Sequence, residues 1–204
     1  MRPLGILGAP MSGSPPAVGG SGGGALQMQV MTASTTFTIP AARVKFTLVG
    51  GGGSSATGDG GWNTSVGGGA GSGATAIWYA SGLTVGNTIT VSVGAGGATR
   101  TGTTVDGYDG GASTLTSGTQ TIATVTAGGG QRGWAGNSPG NGGTAIGGTV
   151  NIAGMEGNPA YGGISRTWAG SASTLGKYGG GGQGAYLTTN NVGQPGIVIA
   201  EWVA

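Results

Sequence analysis

The chain has 204 residues, of which 53 are glycine, about a quarter against a usual level of roughly 7%. Its net charge is only +2, from seven basic and five acidic residues scattered singly, so it lacks both the charge of a disordered coil and the basic run of a nucleic-acid or membrane-surface binder. Cysteine and histidine are absent, which excludes a disulfide framework, Cys/His zinc sites and Ser–His–Asp or Cys–His nucleophile systems.

Residues 1–33 are rich in Pro, Gly, Ser and Met, and "GSPPAVGGSGGGALQMQVM" reads as a linker that serves as an attachment tail. Pro3, Gly5 and Gly8 break the apolar stretch near the N-terminus, so no secretory signal is expected. No run approaches the ~18 apolar residues of a membrane span.

Strand signals begin at residue 34. "STTFTIPAA" places Phe37 and Ile39 in alternation and stops at Pro40. "ARVKFTLVG" puts Val44, Phe46 and Leu48 on one face. "GATAIWYASGLTVGNTITVSVGAG" predicts strands at 76–80 and 89–93, joined by a turn at Val85-Gly86-Asn87. "STLTSGTQTIATVTAG" predicts a hairpin around Ser117-Gly118, and "GTVNIAG" a short strand. The final "GIVIAEWVA" is apolar on both faces, the mark of a central strand. No segment has a useful helical period. Trp78, Tyr79 and Trp202 fall in strands and are expected in the core, while Glu201 marks a surface or an interface.

Between the strands lie glycine stretches as long as the strands themselves. Structureless loops beyond ~12–15 residues are uncommon in compact domains. Ordering a glycine costs about 0.5–1 kcal/mol more than ordering an alanine, so these residues must contribute something that a larger residue could not. Backbone packing is that contribution. A polyproline-II-type helix has three residues per turn and turns its N–H and C=O groups outward. Such helices can bond side by side only if no side chain holds them apart. The strict Gly-X-Y period of collagen is absent. The expected fold is therefore all-β: a small antiparallel, sandwich-like sheet combined with packed polyglycine segments over 34–204.

Several motifs carry a resemblance: "FTIPAARVKFTLVGGGG", "ATAIWYASGLTVGNTITVSVGAGG", "GGAST", "VTAGGG" and the closing "GQPGIVIAEW", in this order and spacing. Over residues 36–204 the chain resembles the glycine-rich domain at the distal ends of bacteriophage tail fibres. The resemblance implies a virion protein made in the host cytoplasm. It implies binding to a host surface glycan or outer-membrane protein through loops at one end of a rigid scaffold. The tail would hold another virion protein, and a homotrimer is expected. The short N-terminal piece suggests a separate small virion protein. The alternative is a structural component that decorates or cements a capsid or baseplate without a host receptor.

The candidate contact residues lie in the glycine stretches, where aromatic rings stand beside polar groups: Trp62 and Asn63; Asp106, Tyr108 and Asp109; Arg132, Trp134 and Asn137; Tyr161, Arg166 and Trp168; Lys177, Tyr178 and Tyr186. Rigid aromatics contribute contact area at low entropy cost. "GQRGWAGNSPGNG" and "NPAYGGISRTWAGSAS" each join an arginine, a tryptophan and polar groups. The same aromatics could instead cap the ends of a glycine lattice. "DGYDGG" supplies too few oxygens for calcium, which takes six to eight, and five acidic residues offer little for glycoside chemistry. No metal, cofactor, nucleic acid, membrane insertion or catalytic activity is expected.

Overall fold

The computed structural model describes residues 24–58, 67–158, 178–182, 184 and 191–204, and among them it is all-β, with two antiparallel sheets and no helix. The strands are β1 (Leu26–Met31), β2 (Thr35–Thr38), β3 (Arg43–Val49), β4 (Thr75–Ser81), β5 (Thr88–Ser92), β6 (Ser113–Ser117), β7 (Val125–Ala127), β8 (Ala145–Ile146), β9 (Val150–Ile152) and β10 (Ile197–Val203). One sheet has the order β1-β10-β3-β4-β9 and the other β2-β5-β6-β7-β8.

The alternation in β3 works as its sequence dictates: Val44, Phe46 and Leu48 are buried, with Phe46 fully enclosed. Phe37 of the second sheet meets Phe46 edge-on at 5.3 Å, and Trp78 stacks on Phe46 at 5.7 Å from the neighbouring strand. Such pairs add about 0.5–1.5 kcal/mol beyond the area they bury. Ile89, Val91, Leu115, Val125, Val198 and Ala200 complete the core between the sheets. As expected of a central strand, β10 pairs with β1 on one side and β3 on the other.

The turn at Val85-Gly86-Asn87 forms as expected, and because β4 and β5 lie in different sheets it is a corner between layers. Two readings change. Tyr79 is exposed, because its partner positions Lys45 and Glu201 are on the outer face of the sheet; Trp78 and Trp202 do pack against the core. Glu201 pairs with Lys45 at 2.7 Å, and this hydrogen bond raises the Lys45 pKa. Residues 26–31, inside the segment whose composition suggests a tail, form β1, because Leu26, Met28 and Val30 alternate with Gln27 and Gln29.

The sheets continue directly into a second layer. β3, β5, β7 and β9 run out into segments 50–57, 94–97, 128–134 and 154–158; segments 67–74, 105–111, 140–144 and 191–196 lead back into β4, β6, β8 and β10. Segment 50–57 shows how this layer is built. The N–H groups of Gly51, Ser54 and Thr57 donate to the carbonyls of Gly111, Tyr108 and Val105. Those of Gly50, Gly53 and Ala56 donate to Ala74, Gly71 and Gly68, and those of Gly52 and Ser55 to Gln194 and Asn191. The three-residue step on both partners is the polyproline-II period. On the acceptor side, Gly51 and Ser54 receive Gly130 and Gly133, Gly52 receives Gly97, and Gly53 receives Gly182. Three neighbours accept and three donate, so the packing around this segment is hexagonal.

Glycine is required because the backbones touch. A Cβ on Gly51 would stand 2.1 Å from the Ala95 carbonyl oxygen, and one on Gly52 would stand 1.9 Å from that of Gly180. Where the lattice admits a small side chain, its hydroxyl joins the bonding. Ser54 Oγ accepts from the Tyr108 N–H (2.8 Å), Ser55 Oγ from Asn191 (3.0 Å) and Thr57 Oγ1 from Val105 (2.9 Å). At the junction of the layers, where neither ladder serves every group, buried Ser113 donates to the Val49 carbonyl (2.7 Å) and accepts from the Gly94 N–H (3.0 Å).

Candidate functional site

The connections at one end of the molecule join strands. Those at the other end join polyglycine segments, and the described candidate residues other than Tyr178 gather there. Segment 105–111 carries Asp106 and Asp109 one turn of three residues apart, on the side that faces segment 128–134. Gly107 and Gly110, each directly after an aspartate, bond backbone to backbone with Gly133 and Gly130. The spacing in "DGYDGG" therefore has a structural reason: the glycines make the lattice contact and the aspartates reach across it.

Asp109 is gripped by Arg132. Its Oδ1 accepts from the Arg132 backbone N–H (2.8 Å) and Nε (3.0 Å), and its Oδ2 from Nη2 (3.0 Å), a two-pronged fork. The side-chain bonds to Arg132 hold the Asp109 pKa below the ordinary carboxylate range, and the Asp109 carboxylate raises that of Arg132. Asp106 Oδ1 accepts from the Ala135 N–H at 2.8 Å. That bond fixes the tight turn after Trp134, whose N–H donates to the Ser138 carbonyl at 2.9 Å. Gly136 and Asn137 take positive φ in this turn, +78° and +69°. Asparagine tolerates that conformation better than most residues. The buried Oδ1 of Asn137 has no hydrogen-bond partner among the described residues.

Two arginines lie over two aromatic rings. Arg132 stands 5.3 Å from the centre of the Trp134 ring, and Arg100 stands 5.1 Å from that of Tyr108. Arg100 Nη1 also donates to the Asp106 carbonyl at 3.1 Å. Trp134 and Tyr108 remain 42% and 44% exposed, so each ring is held in place by a cation yet keeps surface for a partner. The site thus joins Asp106, Tyr108, Asp109, Arg132, Trp134 and Asn137 and adds Arg100, which the sequence reading missed. The signal for it was a lone arginine in "GGATRTG", six residues before Asp106.

Tyr178 stands apart from this cluster. Its neighbour Gly179 bonds with Gly73 and Pro195, close to where β4 and β10 begin, so Tyr178 belongs to the junction level. Trp62, Asn63, Tyr161, Arg166, Trp168, Lys177 and Tyr186 lie outside the described residues.

The fork has a pH signature. Because the folded-state pKa of Asp109 is lowered, its contribution is complete above the ordinary aspartate value of about 3.9 and is lost as pH falls through the folded-state value. Half of the Asp109 side chain is exposed, so solvent limits the contribution to about 1 kcal/mol or less. Asp109→Asn should lower the stability measured by urea unfolding by that amount at neutral pH, and the gap from wild type should close on acidification.

Among comparisons with known proteins, a family model described as a glycine-rich domain matches residues 29–203. No curated protein sequence matches the chain. The match spans every strand but the first three residues of β1, and the chain belongs to the glycine-rich domain family.

Proposed function

We propose that this protein is a bacteriophage tail-fibre or tail-tip protein that binds a glycan or outer-membrane protein of the host surface. It acts by adsorption, without chemistry. The observation that carries this reading is the Arg132–Trp134–Asp109 cluster, held across two adjacent polyglycine segments at the end of the molecule away from the sheets. A half-exposed tryptophan locked between an arginine and a tight turn loses little freedom on contact with a partner, and that favours affinity. Asp106 and Asp109 are each engaged by N–H donors of the opposite segment, which suits positioning better than acid–base work. The sequence resemblance to fibre-end domains supplies the biological setting.

The test is adsorption of the labelled protein to a panel of bacterial cells and to lipopolysaccharide and outer-membrane proteins extracted from them. Wild type should bind at least one of these saturably. Trp134→Ala should reduce that binding at least tenfold while leaving the thermal midpoint within a few degrees of wild type, since the ring is exposed and lies outside the core. Equal binding by the variant would remove this cluster from the interface. Binding to phage capsids or baseplates alone, with none to any envelope, would favour a structural virion component.

A further inference from the structure

We propose that two copies of this chain pair through the open edge of β1, forming a two-fold dimer in which the five-stranded sheets join into one continuous sheet. The proposal rests on the edge itself and is independent of the adhesive reading.

β1 is the outermost strand of its sheet and pairs only with β10. The Ala204 N–H donates to the Ala25 carbonyl, which fixes the alternation of this antiparallel ladder. Residues 25, 27, 29 and 31 face β10, so the N–H and C=O groups of Leu26, Met28 and Val30 face outward. Among the described residues nothing bonds to them. The side chains of the same three residues are 70%, 63% and 49% exposed. An edge of this kind is normally blunted by charge, proline, a bulge or brevity. β1 has none of these protections. It is six residues long, and no charged residue occurs between Arg2 and Arg43. The other edge strand of this sheet, β9, has three residues, and the edges of the second sheet, β2 and β8, have four and two.

The occupant that fits is a second β1. With Met28 on the two-fold axis, Met28 opposes Met28, Leu26 opposes Val30, and Gln27 opposes Gln29. This register brings the outward-facing backbone groups together. Met28 exchanges both bonds with its own copy, and Leu26 and Val30 exchange theirs in each direction. It also matches side chains: apolar against apolar on the outer face and amide against amide on the inner. A one-residue slip would set outward-facing groups against inward-facing ones and break both matches. The pairing is isologous and closes on itself, so it gives a dimer and not a three-fold ring.

The full chain at about 50 µM should show a mass in solution near twice 19.2 kDa by light scattering. Met28→Pro removes the outward N–H without touching the β10 ladder, a place where edge proline is tolerated, and should give the monomer mass. The wild-type chain has no cysteine, so a single introduced one reports the register. In the proposed pair the two Met28 Cα atoms stand about 5.5 Å apart, within disulfide range. Met28→Cys should therefore cross-link almost completely under mild oxidation. Leu26→Cys should not, because its copies are displaced by about 13 Å along the strand. A monomeric or trimeric wild type, a dimer that survives Met28→Pro, or cross-linking of Leu26→Cys in place of Met28→Cys would each overturn the proposal.

Discussion

Gly51→Val is expected to abolish cooperative folding. Gly51 uses every direction its backbone offers. Its N–H donates to Gly111, its C=O accepts from Gly130, and the position a Cβ would take lies 2.1 Å from the Ala95 carbonyl oxygen. The obstructing atom is backbone, in a segment bonded to Gly111, Gly193 and Gly196, so it cannot swing aside as a flexible side chain would. Relief requires segments 50–57 and 94–97 to separate, and Gly52 then loses its bond from Gly97. The disturbance reaches the sheets at once, because these segments continue β3 and β5. A cost above 4–5 kcal/mol is comparable to the whole stability of many domains. The variant should give no sigmoidal urea transition. Gly82→Ala is the control. Gly82, unlike Gly51, has a positive φ, +70°, and nothing lies within 4 Å of its Cβ position. It should cost about 1–2 kcal/mol, the ordinary charge for that conformation, and leave a normal transition. If Gly51→Val unfolded like Gly82→Ala, the lattice would not be as tight as its backbone contacts require.

Much of this fold is legible in the sequence, for different reasons in different places. The two-residue alternation of Val44, Phe46 and Leu48 specifies a half-buried strand, and the two-sided apolar run of Ile197–Val203 specifies a central one. Runs of glycine after strands forecast the backbone lattice. Other features escaped because they depend on long-range pairing. β8 is two residues long and exists through its pairing with β7. β1 has a weak alternation inside a Pro/Gly-rich segment, and its strand character comes from β10, at the far end of the chain. The corner at Val85–Asn87 has hairpin chemistry, but local turn residues do not say whether the next strand joins the same sheet.

The site was legible as a composition and not as a geometry. Aromatics beside arginines and aspartates marked segments 105–111 and 128–134 correctly, yet nothing local says that Arg132 would close on Asp109. The three-residue period provides the missing rule. In a polyglycine-type helix over 105–111, Asp106 and Asp109 must share a face, with Gly107 and Gly110 on the lattice side. A period of three applied to "DGYDGG" thus places both aspartates together from the order of the residues alone.

The second large expected effect is the protection of glycine amides from hydrogen exchange, and it is the most direct measure of the account. The amides of Gly51, Gly52, Gly53, Gly71 and Gly130 each donate to a carbonyl of another segment at 2.9–3.0 Å. Those of Gly51, Gly52 and Gly53 emerge within a segment whose residues are all buried. Their exchange should require the opening of the lattice, and with it the sheets that the same segments enter. Protection should therefore reach on the order of a thousandfold or more and approach that of the β3 amides. Exchange resolved by residue at neutral pH decides the matter. Slow exchange at Gly51–Gly53 in step with β3 is the predicted result. Rapid exchange from position 50 onward, with β3 still protected, would contradict the claim that main chain packed on main chain holds this protein together.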